Sequence, residues 1–260
     1  MDIPARGDNQ KMVSPMRDDL TELLERVEFC RTRSLELEAK VEKLAGASIS
    51  HWVLPWPQPG EGEIMAKLLS HPPVSIRQEV GMIVNEQRSI LDALACKLAT
   101  RNGANSINDV YFPIVKTREI FFDKISKRKI RRLDAADQQA IEDLKPWNPT
   151  GNDPEDGNLA LFQLHEADRV RKHQELLRWA CLSGAQILGD GQVGRFQSSP
   201  VVFTEVGKAE KLAFFSDVTC QIGVQFQIVY LGPDALNGRA VAPLLSIFNE
   251  SVEKAVKIFA

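Results

Sequence analysis

Apolar positions along the chain follow two textures, a helical one over most of its length and an alternating one near the C-terminal third. Over residues 15 to 45, Leu20, Leu23, Leu24, Val27, Phe29, Leu35, Leu37, Val41 and Leu44 recur among Glu, Arg and Lys, with no Gly or Pro between Met16 and Leu44. That spacing predicts a long amphipathic helix, stopped by Gly46, whose stripe packs back on its own domain or against a coiled-coil partner. "ISHWVLPWPQPGEG" alternates briefly and then fills with proline, which predicts an edge strand running into a loop. After Pro72 and Pro73 a second helix is expected over about 76 to 100, with Val80, Val84, Leu91, Ala95 and Leu98 as its stripe and "RNGAN" at its end. "VYFPI" reads as a short strand, two or three short helices fill 117 to 144, and "PWNPTGNDPEDG" reads as a loop. A helix over about 158 to 182 follows. Period-two runs over 185 to 232, including "VVFTEV", "KLAFFSDV" and "CQIGVQFQIVYL", predict antiparallel strands. A last helix over about 237 to 259 carries the stripe Val241, Leu244, Leu245, Phe248, Val252, Val256 and Phe259.

The sum is an α+β protein: a helical core with a small antiparallel sheet, a long N-terminal amphipathic helix and a C-terminal helix. We divide it into an N-terminal helical arm over 1–46 and a main α+β domain over 47–260. Composition narrows this little: 260 residues, 43% hydrophobic and 26% charged, are ordinary for a globular chain, and a net charge of -3 provides no whole-molecule field for nucleic acid or an anionic membrane. Four cysteines, Cys30, Cys96, Cys181 and Cys220, form no CxxC or Cys/His spacing and fit small buried residues in a reducing compartment. The N-terminus lacks a signal peptide's apolar centre and no apolar run is long enough for a bilayer, so the expected location is cytoplasmic, with no membrane partner.

The stretch "LHEADRVRKHQELL", 164 to 177, carries the candidate chemistry. On a helical wheel of about 100° per residue, His165, Arg169 and His173 share the arc of Leu161, Phe162, Leu176, Leu177, Trp179 and Ala180. Asp168 and Lys172 border that arc, and Arg171, Gln174, Glu175 and Arg178 point away. Polar groups aimed at a core need partners. The second helix offers Asn85, Arg88 and Asp92, so Asp92 is expected to orient a histidine or to pair with Lys172 or Arg169.

These residues also carry a resemblance. "RSILDALA" at 88–95, "FPI" at 112–114, "KPW" at 145–147 and "LHEADRVRKHQ" at 164–174 resemble, in order and spacing, a family of uncharacterised bacterial proteins with RSALDHLA, FPI, QPY and LHELDNIDKHR motifs. The resemblance covers about residues 50 to 260 and carries no established activity with it. Ala93 stands where the family has histidine, and Gln174 where it has arginine. A fainter similarity to the HEPN helical domains rests on Arg169 and His173, whose three-residue gap misses the HEPN ribonuclease spacing.

Three chemical readings follow. Metal-independent RNA cleavage would use His165 and His173 for proton transfer, with Arg169, Lys172 and Arg88 on the phosphate and Asp92 beside them. A metal would need His165, Asp168 and Asp92 to converge near cations that oppose it, so no metal and no cofactor is expected. The third reading is a hydrogen-bonded network that fixes two helices and is sealed from solvent. Separately, Lys124, Lys127, Arg128, Lys129, Arg131 and Arg132 put six cations within nine residues, a patch that suits phosphates, RNA included, or a plain solvated face. "GDGQVG" at 189–194 follows a helix and leads into strands, so it reads as a tight turn and not a dinucleotide loop. The expected function is a binding or regulatory module with a structural polar network, meeting a protein partner or a second copy through the N-terminal helix; the alternative is a HEPN-like ribonuclease or RNA-binding protein.

Overall fold

The computed structural model describes residues 18–58, 60–150, 156–173, 179–188, 193–218, 221–231 and 234–260, with Asp18, Ala45, Gly46, His173, Trp179, Val193 and Val218 described by backbone alone. In chain order the elements are α1 (Asp18–Ser48), β1 (Ile49–Pro55), β2 (Glu61–Leu68), α2 (Val74–Arg101), α3 (Arg118–Phe121), α4 (Lys124–Ile130), α5 (Ala135–Asp143) and α6 (Leu159–His173). They continue with β3 (Trp179–Leu188), β4 (Val193–Ser198), β5 (Val201–Phe203), β6 (Ala209–Val218), β7 (Gln221–Tyr230) and α7 (Val241–Ile258). The protein is therefore α+β, with long helices at both ends of the described chain. No described helix is long and apolar enough to cross a membrane.

The helical core forms where α1, α2 and α7 bury their stripes against one another. Leu20, Leu23, Val27, Cys30, Leu37 and Val41 of α1 are all buried in the same cluster as Val80, Val84, Leu91 and Leu98 of α2 and Leu245, Phe248 and Val252 of α7. Ion pairs run along the seams, Arg26 to Glu86 at 2.6 Å, Arg33 to Glu79 at 2.9 Å and Arg101 to Asp19 at 2.9 Å. The stripe that suited a coiled-coil partner is thus covered by the chain's own helices. Of the predicted apolar residues of α1, Phe29 and Leu35 face outward.

The strands form two antiparallel sheets, one ordered β1-β2-β6-β4 and one ordered β5-β3-β7. Ile64, Ala66 and Leu68 of β2 meet Cys181 and Ala185 of β3 and Phe203 of β5 in a shared second core. The edge strand predicted in "ISHWVLP" is β1, whereas β2 has no counterpart in the sequence reading. Its inward positions, Gly62, Ile64, Ala66 and Leu68, include two of the smallest residues, and its outward ones carry Glu61, Glu63 and Lys67, which mutes the apolar alternation.

Two further expectations are corrected. The helix expected to reach 182 has α6 ending at His173; Trp179 already begins β3, which pairs with β7 over ten positions. Leu176, Leu177, Trp179 and Ala180 extend a helical spacing in the sequence, but for the residues from 179 onward sheet pairing overrides it. "VYFPI" is not a strand. Its backbone is irregular up to an isolated bridge between Val115 and Trp147. The "GDGQVG" turn lies largely outside the described residues.

Candidate functional site: the polar junction of α2, α4 and α6

Arg88 and Asp92 lie one turn apart on α2 and grip a single residue of the irregular segment. The Arg88 guanidinium donates to Asp92 Oδ1 at 2.8 Å and to the Phe112 carbonyl at 2.8 Å, while the Phe112 N–H donates to the same Asp92 Oδ1 at 3.0 Å. Both backbone groups of Phe112, whose ring is fully buried, are thereby satisfied by side chains in place of a strand partner. Three residues on, the Val115 N–H donates to the Pro146 carbonyl at 3.0 Å, and Val115 bridges Trp147.

Trp147 carries the connection onward. Its indole lies 5.3 Å from the Phe121 ring, its Nε1–H donates to the Asp156 carbonyl at 2.5 Å, and its own carbonyl accepts from Asn158 N–H at 2.9 Å. Asn158 then caps α6, its Oδ1 accepting from Leu161 N–H at 3.1 Å. Between these steps Gly157 sits so close to the backbone that an added Cβ would lie 2.6 Å from Pro149 N and 2.7 Å from the Trp147 carbonyl oxygen. "RSILDALA", "FPI", "KPW" and the start of α6 therefore join as one continuous brace.

Along α6 the polar residues sort differently from the helical wheel. Asp168 is buried and pairs within its own helix, to Arg171 at 3.0 Å and Lys172 at 2.6 Å. Arg171, expected to point away, reaches α2, donating to Asn85 Oδ1 at 2.6 Å and lying against Gly81, where an added Cβ would stand 3.2 Å from its Cδ. Arg169, expected to face the core, is exposed and bonded to Glu166 at 2.7 and 3.0 Å. Lys172 is exposed apart from its pair with Asp168. The buried positions Leu161, Leu164, Ala167, Asp168 and Val170 define the inner face of α6, whereas Trp179 and Ala180, which share the arc of His165 and Arg169 on a helical wheel, belong to β3. Asp92 accordingly pairs with Arg88 and with neither Lys172 nor Arg169. The His173 side chain lies outside the described residues, as does Gln174.

His165 is half-buried, and its ring nitrogens have no hydrogen-bond partner among the described residues. Burial, reinforced by the nearby Arg88 and Lys129 charges, pushes its pKa down to about 4. It is therefore a neutral imidazole at physiological pH, poorly matched to proton transfer there. The sequence groups Lys129 with the α4 patch alone. It is in fact half-buried beside Arg88 and Asp92, its pKa lowered by burial and then by Arg88. No sequence signal joined it to α6, because only the packing of α4 brings it there. Among the described residues no three His, Cys, Asp or Glu side chains gather as a metal-ligand set, so His165, Asp168 and Asp92 do not converge on an ion.

The basic run divides by role. Lys127 pairs with Glu142 at 3.3 Å and lies over the Phe121 and Phe122 rings at 4.6 and 4.7 Å. Arg132 donates to the Ser106 carbonyl. Lys124, Arg128 and Arg131 are exposed and make no ion pair among the described residues, with exposed Phe122 and Ile125 beside them in the chain. The α4 N-terminus is closed by Asp123, which accepts from Ser126 N–H at 2.7 Å.

No family model, curated relative or solved structure matches this chain, so the motif resemblance rests on the residues that carry it.

Proposed function

We propose that this chain is a cytoplasmic binding or regulatory module in which the polar junction is architecture, and that its contact surface for a phosphate-bearing partner, RNA included, is the exposed side of α4. The observation that carries the first part is the commitment of Arg88. This cation, which the ribonuclease reading sets on the phosphate, is buried, with its guanidinium spent on Asp92 and the Phe112 carbonyl. With His165 held neutral and Arg169 paired to Glu166 on the surface, the described side chains of the ribonuclease reading, which leave out His173, do not form an acid, a base and an anion clamp around one point. Cys30 and Cys181 are buried free thiols with pKa values pushed up to about 12 and about 11, which suits a reducing compartment.

RNA binding is favoured by Lys124, Arg128 and Arg131, the cations of the patch not spent internally. Anisotropy of a fluorescent single-stranded RNA, titrated with protein at several salt concentrations, tests it. Binding should weaken with salt, and Lys124→Glu, Arg128→Glu and Arg131→Glu together should lower affinity roughly tenfold or more. The RNA should stay intact without added metal. Affinity unaffected by the triple change would remove α4 from the account, and cleavage would overturn the architectural reading.

A further inference from the structure

We propose that the protein forms a two-fold symmetric dimer by antiparallel pairing of β1 with β1 of a second copy, joining the two four-stranded sheets into one. The starting point is the free edge of β1. Trp56 N–H bonds to the Glu61 carbonyl at 3.1 Å and Leu69 N–H to the Ser48 carbonyl at 2.6 Å, which makes the even-numbered residues of β1 the hydrogen-bonded partners of β2. The odd-numbered residues therefore aim their backbone groups the other way, and no described residue bonds to them.

How the other sheet edges are guarded sets β1 apart. Natural edges are blunted by charge, shortness or a covering element. β4 has Arg195 at its middle, β5 is three residues long, and α1 and α7 pack beside β7. Among the described residues β1 has none of these: Ile49 to Trp56 carries no formally charged side chain, and Trp52, Val53 and Leu54 are 37%, 56% and 47% exposed. Pro55 alone interrupts the edge, since it offers no outward N–H.

That interruption selects a register. With the two-fold axis at His51, the outward N–H and C=O groups of Ile49, His51 and Val53 meet their symmetry mates donor to acceptor, forming six hydrogen bonds and leaving Pro55 outside. Val53 then faces the second copy's Ile49 on the inner side. On the outer side the two Trp52 rings become diagonal neighbours across the axis, within reach of one another. A strand antiparallel to its own copy is always self-complementary in backbone polarity, and β1 itself brings no charged side chain to the approach, with Lys67 of β2 lying 5.9 Å over the Trp52 ring.

Light scattering on the full chain over a broad concentration range reads the outcome directly. The dimer predicts a mass approaching twice 29.0 kDa. His51→Pro removes the central donor and Val53→Lys places a charge at the junction; each should return the mass to 29.0 kDa while far-UV circular dichroism keeps its wild-type shape. A wild-type protein monomeric throughout overturns the proposal. So does a dimer that both variants, folded by circular dichroism, leave intact, since the contact would then lie elsewhere.

Discussion

His165 illustrates how a residue's surroundings decide its chemistry. Its pKa lies at about 4 in the folded chain against an ordinary 6.5, so the unfolded chain binds more protons between those values. Stability must then fall as pH drops from 6.5 towards 4, by an amount on the order of a few kcal/mol, and His165→Gln should flatten that part of the profile relative to wild type. Urea unfolding at a series of pH values measures it; parallel profiles for the two proteins would show that His165 is not held neutral. Arg169 makes the opposite case. Its bond to Glu166 is a surface pair, 44% exposed on the arginine side, so Arg169→Ala should leave stability within about 0.5 kcal/mol of wild type. A sequence argument that aims both residues inward cannot separate them, because the distinction depends on where α6 ends.

Elements show what was legible and what was not. Helices α1, α2 and α7 announce themselves because each buries a stripe of large aliphatic residues at helical spacing, from Leu20 to Val41, from Val80 to Leu98 and from Val241 to Val256. β2 hides because Gly62 and Ala66 fill its inward positions, and the C-terminal limit of α6 hides because Leu176 and Leu177 prolong a helical pattern that β3 interrupts at Trp179. The candidate site is half legible: spacing puts Arg88 and Asp92 on one helix but aims Asp92 at α6, whereas its partners are Arg88 itself and the Phe112 backbone, which offers no side-chain signal. The brace also explains a small residue. Gly157→Ala would drive a methyl group into the backbone at Trp147 and Pro149, and about 1–3 kcal/mol of stability should be lost, measured by urea unfolding. An unchanged midpoint would mean that the 147–157 contact is not a fixed part of the fold.

Over the whole molecule, parts of the helical core that the sequence places far apart are linked by hydrogen bonds that run outside the helices. α2 reaches the irregular 110–115 segment through Asp92, that segment reaches 145–147 through Val115, and Asn158 passes the connection to α6. Such a connection predicts that damage at one point is felt in global unfolding and not in a local function. The direct measurement is the unfolding free energy of Asp92→Ala, which leaves Arg88 without its ion pair and takes the acceptor from the Phe112 N–H. Loss of one member of a largely buried pair predicts a fall of about 3 kcal/mol, with the RNA affinity of the folded variant unchanged. Stability within about 0.5 kcal/mol of wild type, together with altered RNA binding or cleavage, would contradict the architectural reading and return the junction to chemistry.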